Sequence, residues 1–220
     1  MNNLLIIGQG SQTIQLIREL YSLEYTPDQI NVITINEKPN LNFLEFVKYY
    51  NLSYSIANKV NFDSIIDNLI KNKTIDLVIS FSKPFIINSK TLSTSPVFIN
   101  FHPGILPNYK GSLSTVYSLI NKEKYVGGTW HYISDKVDCG NILNVIKVST
   151  TKNSTAFSLN HKIFSLGISK LKNVLSKISK NNTGTKQEDK GKFYLNKFPN
   201  VKELSVELQK RVTYFPPDFI

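Results

Sequence analysis

Four short apolar runs, separated by segments of helical period, constrain the fold of this 220-residue chain more than anything else in it. Leu4-Leu5-Ile6-Ile7, Asn31-Val32-Ile33-Thr34-Ile35, Asp76-Leu77-Val78-Ile79-Ser80 and Val97-Phe98-Ile99-Asn100-Phe101 are short and mostly rich in β-branched residues. They read as strands covered on both faces. Between them Ile14, Leu16, Ile17, Leu20 and Tyr21 recur at helical spacing, Phe43 to Tyr50 reads as a short helix, and Ile65, Ile66, Leu69 and Ile70 form another apolar helix face. This alternation predicts an α/β fold, a mostly parallel, doubly wound, twisted sheet flanked by helices. Ligands of such sheets gather beyond the carboxyl ends of the strands, where Ser80 to Phe85 and Asn100 to His102 fall.

Further along, Leu113 to Leu119 reads as a helix after the Gly111 turn. Gly128 to Ile133 and Asn141 to Val148 read as two strands joined by the loop that carries Asp138. Ser154 is the expected N-cap of one amphipathic helix running to about Ile178. The pattern divides the chain into a main domain over 1–180, a polar linker over 181–191 and a short strand-containing appendage over 192–220 that ends in Tyr214-Phe215-Pro216-Pro217. No run is long and apolar enough for a membrane span or the core of a signal peptide, and the single Cys139 allows no internal disulfide; both fit a cytoplasmic protein. The net charge is +10, with eleven basic against five acidic residues from Lys170 onward. That balance suits a polyanionic ligand or simply solvates the surface. No His/Cys/Asp/Glu spacing points to a metal.

Two groups of residues carry chemistry. Gly8-Gln9-Gly10-Ser11 follows a strand and opens a helix, so the free amides at Gly10 and Ser11 suit a phosphate; the third glycine of a dinucleotide fingerprint is missing, which speaks against a nicotinamide cofactor. Asn100-Phe101-His102-Pro103 closes the fourth apolar run, and Asp138-Cys139-Gly140 lies in a later loop. An amide and an imidazole can hydrogen-bond a developing oxyanion, and a carboxylate can hold the imidazole charged or take a proton. His131 fits either an active site or a buried, backbone-satisfied imidazole.

Asn100-Phe101-His102-Pro103, Leu106-Pro107-Asn108-Tyr109-Lys110-Gly111, Gly128-Thr129-Trp130-His131 and Asp138-Cys139-Gly140 together resemble, in order and spacing, the formyltetrahydrofolate-dependent formyltransferases, over roughly residues 1 to 180. The resemblance implies a Rossmann-like sheet, N10-formyltetrahydrofolate as co-substrate, and Asn100, His102 and Asp138 as the catalytic set, with Thr129 and His131 beside them. It also implies a pteridine pocket lined by Lys83, Pro84, Phe85 and Ile86 on one side and by Ile133, Asp135 and Val137 on the other. Gly104 departs from the pattern, which usually has serine there.

Three branches of the family differ in acceptor. The tRNA-modifying branch carries a further domain, and the 82 residues after Asp138 leave little room for one. Glycinamide ribonucleotide formyltransferases share the Gly8-Gln9-Gly10-Ser11-Gln12 turn but usually lack a step like Tyr109-Lys110-Gly111. The sugar-nucleotide N-formyltransferases match better, in that step and in an aromatic-Pro-Pro element like Phe215-Pro216-Pro217. The acceptor so implied is a dideoxy amino sugar on dTDP or a related nucleotide, destined for surface polysaccharide. Gly10, Ser11, Tyr109, Lys110, Tyr214 and Phe215 are its candidate contacts, with Tyr194 a further aromatic. The expected assembly is a homodimer without nucleic acid or membrane.

Overall fold

Neighbouring residues along the first strand (β1, Leu4–Gly8) point to opposite faces of the sheet, and both faces are apolar and covered. Leu4 and Ile6 enter one core, Leu5 and Ile7 the other, so every side chain of the run is removed from water. The computed structural model describes residues 1–35, 40–81, 85–188, 190–195 and 197–213. After β1 come α1 (Gly10–Ser22), β2 (Ile30–Ile35), α2 (Leu41–Tyr49), β3 (Ser53–Ala57), α3 (Phe62–Asn72), β4 (Leu77–Phe81), the short α4 (Ser89–Leu92) and β5 (Val97–His102). The chain continues through β6 (Tyr109–Gly111), α5 (Ser114–Ile120), β7 (Tyr125–Tyr132), β8 (Ile142–Ser149), α6 (Ala156–Ser169), α7 (Leu171–Ser179), β9 (Lys192–Tyr194) and α8 (Val206–Thr213).

Seven strands form one sheet in the order β3-β2-β1-β4-β5-β7-β8. The five from β3 to β5 are parallel, and β7 and β8 continue the sheet antiparallel. Helices α1, α2, α5, α6, α7 and α8 pack on the larger core, and α3 covers the other face. This is the mostly parallel, Rossmann-like arrangement that the strand–helix alternation predicts. The connection from β2 to α3 hides a strand that periodicity misses. Ser53-Tyr54-Ser55-Ile56-Ala57 forms the sheet edge, where most of its side chains stay in water and need not be apolar.

The long helix expected after Ser154 differs in two respects. Its N-cap is Thr155, whose side chain accepts from the Ser158 amide, while Ser154 Oγ accepts from the Thr151 amide at 2.9 Å. The helix also breaks at Lys170 into α6 and α7. The Trp130 indole N–H donates to the Gly167 carbonyl at 2.9 Å, and the Lys170 amide reaches the same carbonyl in a tightened turn, so regular winding ends there.

The segment after α7 is tied back to earlier strands at two places. Thr185 forms an antiparallel bridge with Ile142 at the start of β8, and β9 pairs in parallel with β6. The Tyr194 ring stacks against Tyr109, at 5.5 Å, and against Tyr117, at 4.3 Å, which docks this segment on α5. Helix α8 is held by Arg211, which donates to the carbonyls of Ser154 and Thr151.

Candidate active site

Strand β5 carries Asn100 and His102 on one face, while Phe101 between them enters the larger core. The parallel register sets Ser80 of β4 beside Asn100, and the Ser80 hydroxyl donates to Asn100 Oδ1 at 2.8 Å. Antiparallel β7 sets His131 beside the same residue, with Asn100 Nδ2 at 3.1 Å from His131 Nε2. With the amide nitrogen donating, Nε2 accepts and His131 Nδ1 carries its proton to the Tyr132 carbonyl at 2.7 Å. The β7–β8 register shifts between Trp130 and His131, an irregularity that re-aims side chains next to it.

His102 is 4% exposed. Its Nε2 lies 2.6 Å from the Tyr109 carbonyl and must donate there, because a carbonyl oxygen only accepts. The other nitrogen, Nδ1, faces Asp138 Oδ2 at 3.5 Å. The same oxygen accepts from the Gly111 amide at 2.8 Å, and Asp138 Oδ1 stands 3.6 Å from His131 Nε2. Asp138 therefore faces His102 directly and lies close to the His131 ring, which is itself bonded to Asn100.

Three features hold Asp138 in place. Its own φ of +54° lies in the left-handed region that aspartate tolerates better than most residues. Gly140 follows because any Cβ there would collide with the Tyr132 carbonyl oxygen. Gln187, from the segment beyond the main sheet, donates to the carbonyls of Asp138 and Gly140 at 3.0 and 2.7 Å. Sequence reasoning missed Gln187, since nothing in its surroundings marks a partner 49 residues away.

Asn100, His102, His131 and Asp138 open into one cleft of about 480 Å³, the size of a small-molecule site. Phe85, Ile86, Ile133 and Val137 line it as expected, and Phe193, Tyr194 and Leu195 close its other side. Asp135 does not line it, although its neighbours Ser134 and Lys136 do. Gly10 and Ser11 stand at the N-terminus of α1, outside the cleft. Lys83, Pro84, Tyr214 and Phe215 lie outside the described residues.

Tyr109 and Lys110 are buried and do not line the cleft. Tyr109 instead donates from its hydroxyl to Glu123 at 2.7 Å and gives its carbonyl to His102. Burial pushes that hydroxyl up to about 12, a donated bond from Asn121 opposes the shift, and Glu123 adds to it. The phenol thus stays protonated and keeps donating at any ordinary working pH. Thr129 is fully buried and clamps the loop after His102, donating to the Gly104 carbonyl and accepting from the Leu106 amide. Gly104 leaves no room for a side chain. A Cβ would stand 2.5 Å from His102 Nε2 and 2.6 Å from the Tyr109 carbonyl oxygen.

The described residues contain no cluster of three or more His, Cys, Asp or Glu able to hold a metal ion, and no helix among them is long and apolar enough to cross a membrane. The site brings an amide, two imidazoles and a carboxylate to the lining of one cleft, a set suited to acyl-type transfer.

Known proteins resemble this chain in sequence and in fold. A GDP-perosamine N-formyltransferase of Brucella melitensis is 25% identical over 97% of this chain and 85% of its own length. The N-formyltransferase from Helicobacter canadensis, solved with folinic acid and dTDP-3-aminofucose, superposes with a TM-score of 0.75 at 22% identity, covering 96% of this chain and 79% of that one. Glycinamide ribonucleotide transformylase 1 from Symbiobacterium toebii superposes with a TM-score of 0.71 at 19% identity, covering 86% of this chain and 95% of that one. The formyl transferase family model matches residues 3–175, a span that takes in Asn100, His102, His131 and Asp138, and the chain belongs to that family.

Proposed function

We propose that this protein moves the formyl group of N10-formyltetrahydrofolate onto the amine of a nucleotide-linked deoxy sugar, with dTDP as the nucleotide, in the synthesis of a surface polysaccharide. The meeting of Asn100 and His102, both on β5, with Asp138 from the β7–β8 loop in one apolar-walled cleft carries this reading. The donor supplies a formyl carbon activated for attack by nitrogen, and the wall of Phe85, Ile86, Ile133 and Val137 suits its flat ring system.

In this mechanism the acceptor nitrogen bonds to the formyl carbon and negative charge grows on the formyl oxygen. The Asn100 amide nitrogen, with one hydrogen toward His131, keeps a second for that oxygen. His102 offers Nδ1–H, since its Nε2–H is taken by the Tyr109 carbonyl. Each such donor is worth roughly 3 kcal/mol of barrier. Asp138 receives the proton that the amine gives up, directly or through water, and the bond from the formyl carbon to N10 breaks as that same proton is passed on to N10 by the same route.

The acceptor approaches from the side of Phe193 and Leu195, whose side chains are substantially exposed along the cleft. Phe193 takes over from Tyr194 as the aromatic free to meet a ligand, because Tyr194 is buried against Tyr109 and Tyr117 while Phe193 is half exposed. The amides of Gly10 and Ser11 open α1 beyond the carboxyl end of β1, at the same end of the parallel strands as the end of β5, which supports them as contacts for the diphosphate. Phe193→Ala is expected to raise KM for the acceptor roughly 3- to 10-fold, the worth of one aromatic contact, while KM for the formyl donor stays put. Steady-state kinetics in each substrate separately checks this.

Turnover assays with dTDP-amino sugars, GDP-perosamine and glycinamide ribonucleotide decide the acceptor. Transfer to an amino sugar on dTDP, with glycinamide ribonucleotide left unformylated, is the expected outcome. The reverse preference would establish the purine reading, which the glycine turn Gly8-Gln9-Gly10 and the glycinamide-type superposition favour. Preference for GDP-perosamine would keep the sugar and correct the nucleotide.

A further inference from the structure

The first residue of α5 places a buried hydroxyl behind the catalytic imidazole. Ser114 is 2% exposed, and its Oγ lies 3.2 Å from His102 Nε2, 3.3 Å from the Tyr109 carbonyl oxygen and 3.4 Å from the Gly111 carbonyl oxygen. Neither carbonyl can donate, so the hydroxyl hydrogen goes to one of them and a lone pair of Oγ is left toward Nε2. His102 Nε2 is thus surrounded by acceptors alone. A ring without a proton on this nitrogen would set its lone pair against the Tyr109 carbonyl at 2.6 Å.

We propose that Ser114 is a positioning residue that, together with the Tyr109 carbonyl, keeps Nε2 of His102 protonated, so that the proton taking part in the reaction is the one on Nδ1, opposite Asp138. The space for this hydroxyl exists because position 104 is glycine. A Cβ there would stand 2.8 Å from the Ser114 Cβ as well as against Nε2, so one side chain only fits behind the ring. Ser114 does not line the cleft and acts on the substrate through His102. The inference rests on reading His102 as the group that meets the formyl oxygen.

Long-range nitrogen–proton correlation spectra of the uniformly ¹⁵N-labelled protein report directly which ring nitrogen carries the proton. The chain has three histidines, so His161→Gln and His102→Asn variants assign the signals. The neutral ring of His102 in the unmodified protein is expected to be wholly in the Nε2–H form. Ser114→Ala should admit the Nδ1–H form, and kcat should fall roughly fivefold or more with KM for the formyl donor unchanged, as expected for one lost buried hydrogen bond. Ser114→Cys, close in size with a weaker hydrogen-bonding group, should fall between the two and serves if the alanine variant folds poorly. A ring that stays fully Nε2–H in both variants overturns the pairing. A shifted tautomer with unaltered kcat also overturns the proposal, and does so by removing His102 from the chemistry while leaving the contact intact.

Discussion

Replacing His102 by alanine is expected to lower kcat by roughly two to four orders of magnitude, the range that general acid–base groups and oxyanion donors command. Three losses coincide. The formyl oxygen loses the Nδ1–H donor, Asp138 loses the ring that faces it at 3.5 Å, and the Tyr109 carbonyl loses the N–H it accepts at 2.6 Å. The last of these is a buried acceptor left unsatisfied, so the variant should also lose about 1–3 kcal/mol of stability. His102→Asn can keep a donor toward the Tyr109 carbonyl and serves as the control for that structural part. Single-turnover formyl transfer separates chemistry from product release, and binding of a non-reacting folate should persist in both variants. Turnover equal to that of the unmodified protein would remove His102 from the mechanism.

The second large effect concerns the support beneath the site. Trp130 is fully buried in β7, immediately before His131, and its ring meets those of Phe81 and Phe101 with centroids 5.8 and 5.0 Å away. Phe101 in turn sits between Asn100 and His102. Trp130→Ala would empty a large volume under both catalytic strands and strand the Gly167 carbonyl that the indole serves. The cost expected for such a truncation is about 3–5 kcal/mol. For a chain of this length that corresponds to a drop in Tm of roughly 6–20 °C, measurable by calorimetry. Trp130→Phe keeps most of the packing but lacks the N–H, so it should cost less and isolate the hydrogen bond. If Trp130→Ala left both Tm and kcat unchanged, the aromatic cluster would not be what holds Asn100 and His131 in register.

How much of this could be read from the chain alone depended on whether the responsible forces were local. The buried strands β1, β4 and β5 were legible because both their faces are covered, which demands an apolar residue at nearly every position. β3 was not legible, because an edge strand with water on much of its surface carries no such demand. The Asn100–His102 pair was legible from its position at a strand end. Asp138 was legible from the glycine behind it, which marks a tight turn. Tyr109 and Lys110, read as ligand contacts, are buried and do not line the cleft, since a residue beside a motif glycine looks the same in sequence whether its side chain faces the cleft or the protein. Here the pairing of β6 with β9 turns Tyr109 onto Tyr194, and it is the Tyr109 backbone that serves the site.

Strand–helix order, the parallel sheet, the end of the sheet where ligands gather and the three polar residues at that end all followed from local pattern, because hydrophobic periodicity and turn chemistry act over a few neighbouring residues. Which nitrogen of His102 faces Asp138, how Gln187 and Ser114 brace those two groups, and which aromatic ring is left exposed to a substrate were decided only by tertiary structure. Those outcomes depend on contacts between residues 7 to 85 positions apart in the chain, most of them beyond the reach of any local rule.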